Sequence, residues 1–128
     1  MSKFAREVAV IALTPTADHS TNKGFLVKLS AGSAALNDSA TVSAFGVILD
    51  GETTAGKDSV GVLGGNLGTV KLKASGAIAQ GALVKQAADG SVVTDAAGAR
   101  VVVGKALEAA AAGELFEAIV FNPVVLAA

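Results

Sequence analysis

The chain has 128 residues, a formal net charge of −1 and no cysteine. It is one domain's worth of material, built without disulfides, thiolate metal sites or a cysteine nucleophile. Ten basic residues are spread evenly against eleven acidic ones, and Trp and Tyr are absent, which removes the basic stripe and stacking rings of a nucleic-acid binder.

No window approaches the ~20 apolar residues of a membrane-spanning helix. No basic region leads into a long apolar run at the N-terminus, so a signal peptide is not expected. The apolar share of 52% includes 27 Ala; Val, Ile, Leu, Met and Phe together number 39, and Val is the commonest of these. β-Branched side chains fit a pleated surface better than a helix, and 15 Gly punctuate the chain with turns. The composition therefore predicts an all-β fold. A mean hydropathy of +0.58 points to apolar surface covered by other subunits.

Residues 6–13 read as a strand apolar on both faces, stopped by Thr14-Pro15-Thr16 because Pro cannot donate to a ladder. This strand belongs either to the domain itself or to an arm that adds to a neighbour's sheet edge. Residues 16–23 are polar and loop-like. Strands follow at 24–30, 41–50 and 58–63, with residues 32–40 assigned to a surface loop by composition. Gly64 to Gly68 turns the chain between units, and Thr69-Val70-Lys71-Leu72-Lys73 alternates as a half-buried strand does. Further strands are expected at 82–87, 91–94, 100–107 and 114–121, the first two joined by an Asp89-Gly90 hairpin signal. Residues 106–112 have high helix propensity, yet so short a helix is marginal, and a strand end running into a turn is expected. Asn122-Pro123 breaks the last strand and leaves Val124-Val125-Leu126 as an apolar tail to pack either on the domain or on a neighbour.

The chain repeats itself. Gly24-Phe25-Leu26-Val27-Lys28 matches Gly81-Ala82-Leu83-Val84-Lys85 at an offset of 57, and Gly32 then meets Gly90 at 58. Gly46 meets Gly104 at 58, Gly56 meets Gly113 at 57, and Val62-Leu63 falls on Ile119-Val120. Single-residue shifts confined to turns are what a duplicated β unit tolerates. The expected architecture is a compact β-barrel or β-sandwich-like domain of two related units, 24–63 and 81–120 within 24–128. An N-terminal strand or arm and loop occupies 1–23. The turn glycines Gly24, Gly46, Gly56, Gly81, Gly90, Gly104 and Gly113 carry the punctuation.

Reactive chemistry is hard to assemble from these residues. His19 is the single histidine, in Asp18-His19-Ser20. Adjacent positions in a polar loop do not build a triad, whose members converge in space, so His19 reads as a solvated loop residue that an Ala could replace without effect. Asp50 and Glu52 read as a solvated turn pair rather than a cation site. The glycine-rich 61–68 stretch lacks the Lys-Ser/Thr ending and following helix of a phosphate loop. Lys71 and Lys73 lie on one strand face rather than at a hairpin tip, where a swinging-arm carrier displays its modified lysine. No catalytic, cofactor-binding or metal-ligating residues are expected, and the chain does not read as an enzyme.

At Lys73-Ala74-Ser75-Gly76-Ala77-Ile78-Ala79-Gln80-Gly81-Ala82-Leu83-Val84, the sequence resembles a family of small tailed-phage proteins, the capsid cement or head decoration proteins. Val103-Gly104-Lys105-Ala106-Leu107-Glu108 and the Ala-rich run to Gly113-Glu114 extend the likeness, which is good from about Gly46 to Val120. Lys85 departs from it, standing where relatives often place an aromatic. The resemblance implies a structural virion protein, often a homotrimer, which sits on the exterior of the icosahedral head and clamps neighbouring major capsid subunits. Assembly in the host cytoplasm follows from that, with no cofactor, nucleic acid, membrane or small-molecule substrate as partner. Candidate contacts to the capsid or between subunits are Phe4, Arg6, Val8, Val10 and Leu13. The alternatives are a small β carrier or ligand-binding domain, and a self-assembling tail-tube or shell component.

Overall fold

The computed structural model describes residues 9–65 and 67–127. Ten strands make up its regular structure: β1 Val10–Leu13, β2 Leu26–Ser30, β3 Ser33–Leu36, β4 Gly46–Asp50, β5 Asp58–Val62, β6 Thr69–Lys73, β7 Leu83–Gln86, β8 Val92–Thr94, β9 Arg100–Ala106 and β10 Leu115–Leu126. The fold is all-β, with no helix among the described residues. Two five-stranded antiparallel sheets form, in the orders β1-β5-β4-β2-β3 and β6-β10-β9-β7-β8. Adding five to each strand number of the first order gives the second.

The two units therefore agree strand for strand, and their registers agree residue for residue. Val27 lies opposite Gly46 as Val84 lies opposite Gly104. Gly24 N–H donates to Ile48 O at 2.8 Å, and Gly81 N–H donates to Ala106 O at 2.8 Å. Gly46 faces Val62 while Gly104 faces Val120, so Val62 corresponds to Val120. The sequence match, which set Val62 on Ile119, returned to an offset of 57 in the turn before β5, whereas the registers keep 58 through β5 and β10. The repeat also starts earlier than the sequence shows. β1 occupies in the first sheet the edge that β6 occupies in the second, and the parallel bridge Pro15 to Ala34 is repeated as Ala74 to Val92.

Three local expectations are corrected. Residues 32–40 are not all loop: Ser33–Leu36 is a strand, joined to β2 by a two-residue turn in which Ala31 (φ 50°) and Gly32 (φ 82°) both lie in the left-handed region. Such a turn matches the twist of a hairpin, and it was hidden because Ala, not Asn or Asp, stands at its first central position. The strand expected at 41–50 begins only at Gly46, since residues 39–44 are drawn instead onto β7 by side-chain bonds. Finally, Asn122-Pro123 does not end the last strand, and Val124–Leu126 packs on the domain itself. β10 runs through Asn122-Pro123 with a register irregularity between Val120 and Val124, then pairs Val124, Val125 and Leu126 with Val102, Val101 and Arg100. A proline without an N–H is tolerated where the ladder is already interrupted.

Two apolar clusters fill the molecule. The smaller, around Val27, Ala34, Ile48 and Val60, lies within the first sheet. The larger is centred on Phe116, Leu72, Val84, Val103 and Val120 of the second sheet, and it also takes in Leu26, Ala44, Val47 and Leu63 from the first. The first sheet thus buries residues on both of its faces.

Candidate contact surfaces

The unit junction is made by the outer face of the first sheet. Register places Leu26, Val47, Gly61 and Val10 in one row across four strands. Leu26 and Val47 are wholly buried and Gly61 is buried too, while Val10 at the edge is exposed. A Cβ on Gly61 would meet the Leu67 side chain at 2.8 Å, so absence of a side chain there lets Leu67 cover the row. Leu26 N–H donates across the junction to Gly90 O at 2.7 Å, and Lys73 N–H donates to Gly24 O at 3.0 Å.

Gln86, on β7, closes the same junction. Its amide nitrogen donates to Ser39 O at 3.0 Å and Val42 O at 2.8 Å, and its oxygen accepts from Ala44 N–H at 2.8 Å. It is 1% exposed, and these three bonds satisfy the amide, as burial requires. Sequence reasoning passed over Gln86. The signal was faint: a long polar residue on the inward step of a strand that otherwise alternates.

The corresponding row of the second sheet is Leu83, Lys105, Ile119 and Thr69. All four are exposed, Leu83 by 45% and Ile119 by 44%. Beside them Lys71 Nζ donates to Glu108 at 3.1 Å. The Glu108 carboxyl is held below its usual range, first by the Glu117 N–H it accepts and then by Lys71. Lys71 and Lys73 therefore sit within β6, on a strand rather than a tip, and Lys71 is engaged.

Of the proposed contact residues, Phe4, Arg6 and Val8 lie outside the described residues. Val10 is exposed and Leu13 half-buried on β1, which is one edge strand of the first sheet and is unpaired on its outer side among the described residues. The turn glycines serve two distinct ends. Gly24 and Gly81 take φ of 85°, open to glycine without strain. Gly46 and Gly104 are not turn residues: they lie in β4 and β9 and allow close strand approach, because an added Cβ would lie 2.6 Å from Gly61 O and 2.5 Å from Ile119 O. Gly90 and Gly113 also have positive φ, whereas Gly56 packs against the Glu52 side chain.

His19 is not a solvated loop residue. It is 1% exposed, its N–H bonds to Glu52 O at 2.9 Å, and its Nδ1 lies 2.5 Å from Asp58 Oδ2. Ser20 turns away to Asp18, so the three neighbours in sequence form no relay. Among the described residues no three His, Cys, Asp or Glu converge to hold a metal ion.

What the described residues present is surface: duplicated sheets, an outer row in which exposed Leu83 and Ile119 alternate with Lys105 and Thr69, and an edge strand at β1. The sequence model of the family described as phage cement protein matches residues 5–120, and the chain belongs to that family. It is a capsid-associated structural protein of the phage particle. The fold is shared with the N base of the head fiber gp8.5 of bacteriophage phi29. The two superpose with a TM-score of 0.65 at 18% identity, over 87% of this chain and 92% of that one. No curated protein matches by sequence.

Proposed function

We propose that this protein is a cement that binds the outside of the phage head as a homotrimer and clamps neighbouring major capsid subunits. The observation that carries the reading is the family match over nearly the whole chain. A clamp needs shape fit, apolar area and strand edges rather than a reacting group. By binding the assembled shell and not its separated subunits, it stabilises the assembled state through linkage, at a strength set by its free concentration over its Kd. Repetition over a lattice then sums many modest contacts.

Val10 and Leu13, with Phe4, Arg6 and Val8 ahead of them, are the proposed contacts, since β1 leaves one edge of its sheet unpaired among the described residues and such an edge accepts an added strand. Because Val10–Leu13 is itself paired with β5, deleting residues 2–13 would remove a sheet strand as well as the arm. Deletion of residues 2–8 is the cleaner test. Electron microscopy of heads incubated with the full chain is expected to show added density on the outer surface bridging capsid subunits. Heads incubated with the 2–8 deletion are expected to lack it. Density inside the head, or none with the full chain, would refute the proposal.

A further inference from the structure

The junction between the two units has two sides, and duplication has left an uncovered copy of each, one on either unit. One side is the outer row of the first sheet, Leu26 and Val47, entered at Gly24. The other is the second unit's turn at Gly90, with Gln86 beside it. Within the chain these sides meet at Gly90, where an added Cβ would come within 3.0 Å of Phe25, and Gly24 is covered from β10, where one would strike the Leu115 side chain at 2.5 Å. Their counterparts are Gly81 and Gly32, and a Cβ on either meets nothing within 4 Å.

The open copies keep the backbone shape of the closed ones. Gly81 has the φ of Gly24, 85°, and Gly32 at 82° is close to Gly90 at 90°. They also keep apolar side chains. Leu83 stands where Leu26 is buried, with Ile119 two strands away in the same row. On the other side Leu29, 49% exposed, stands where Gln86 is buried, since Leu29 pairs with Ala34 as Gln86 pairs with Val92. Leu26 N–H reaches across the junction to Gly90 O; among the described residues no carbonyl outside its own sheet does the same for Leu83.

We propose that Leu83, Lys105 and Ile119 dock onto a second copy of this chain, at its Ala31-Gly32 turn and Leu29, repeating between molecules the contact that joins the two units within one. The contact is heterologous, head to tail, so it closes into a ring or runs on as a filament. In the homotrimer proposed above it sets six units around one ring. Lys105, mid-row, covers apolar surface with its stem and keeps its ammonium at the rim. The inference rests on the self-association in that proposal and not on its binding to the shell, and its test contains no shell.

Sedimentation velocity of the purified chain is expected to show a discrete oligomer. Leu83→Asp and Leu29→Asp should each sediment as folded monomers, the fold checked by an unchanged circular dichroism spectrum, because both side chains are already solvent-facing. The chain has no cysteine, so single Leu29→Cys and Leu83→Cys chains give an unambiguous second reading. With a short bis-maleimide, neither should cross-link alone, and their mixture should give covalent dimers containing one of each. A monomeric wild type, a Leu29→Asp chain that still assembles, a mixture that stays uncross-linked, or Leu83→Cys joining to itself face to face would each overturn the head-to-tail contact. A positive result with heads that still fail to bind the protein would instead count against the clamp alone.

Discussion

Asp58 is fully buried, and both of its oxygens are engaged, Oδ2 by His19 Nδ1 and Oδ1 by Glu52 N–H at 2.8 Å. The bonds tie the 16–23 loop to the turn after β4, where Gly51 permits contact so close that a Cβ would lie 1.9 Å from His19 O. Removing one member of such a pair leaves the other buried without compensation. His19→Ala is therefore expected to lower unfolding free energy by roughly 2–4 kcal/mol, seen as a lower urea midpoint at unchanged slope. An unaltered midpoint would mean that the loop simply opens to solvent. Nothing local in the sequence announces this burial, since polar neighbours surround His19 and its partner lies 39 positions away. Gln86 was equally hard to see, for it answers three backbone groups that become orphans only when residues 39–44 leave the ladder.

Elements were far more legible than these pairings. β5, β6 and β8 stand within a residue of where alternation and turn chemistry put them, and the Asp89-Gly90 turn joins the strands it was expected to join. What escaped was whatever depended on a partner. β3 is made of Ser, Ala and Leu with a turn that breaks the usual residue preference, and it exists because β2 supplies its ladder. The match between β1 and β6 was invisible because Val-Ile-Ala-Leu and Thr-Val-Lys-Leu share inward steps only. β10 was cut short at Pro123, although Val124–Leu126 satisfies the backbone of Arg100–Val102. Truncation after Phe121 is expected to cost about 2–3 kcal/mol, the loss of a few ladder bonds at ~1 kcal/mol each, together with faster amide exchange at residues 100–102. Exchange unchanged there would show the pairing to be dispensable.

At the scale of the molecule, duplication did not produce two equal halves. The larger cluster draws twelve of its sixteen buried members from the second unit and four from the first, while the first keeps a separate core of four. Detached, the first unit would expose Leu26 and Val47 and retain little to hold it, at a size where even a complete core is marginal. The second unit would lose Leu26, Val47 and the bonds Gln86 makes, but would keep Phe116 and its neighbours. Residues 1–65 alone should therefore be unfolded, and the intact chain should melt in one transition. Its calorimetric enthalpy should agree with the van't Hoff enthalpy fitted for unfolding coupled to dissociation, because the larger cluster cannot come apart in one unit without the other. Leu26→Ala, which opens a cavity at the junction, should shift that single transition downward by about 2–5 kcal/mol rather than split it. Two resolved transitions, the earlier one sensitive to Leu26→Ala, would mean that the units fold separately and meet only as neighbours.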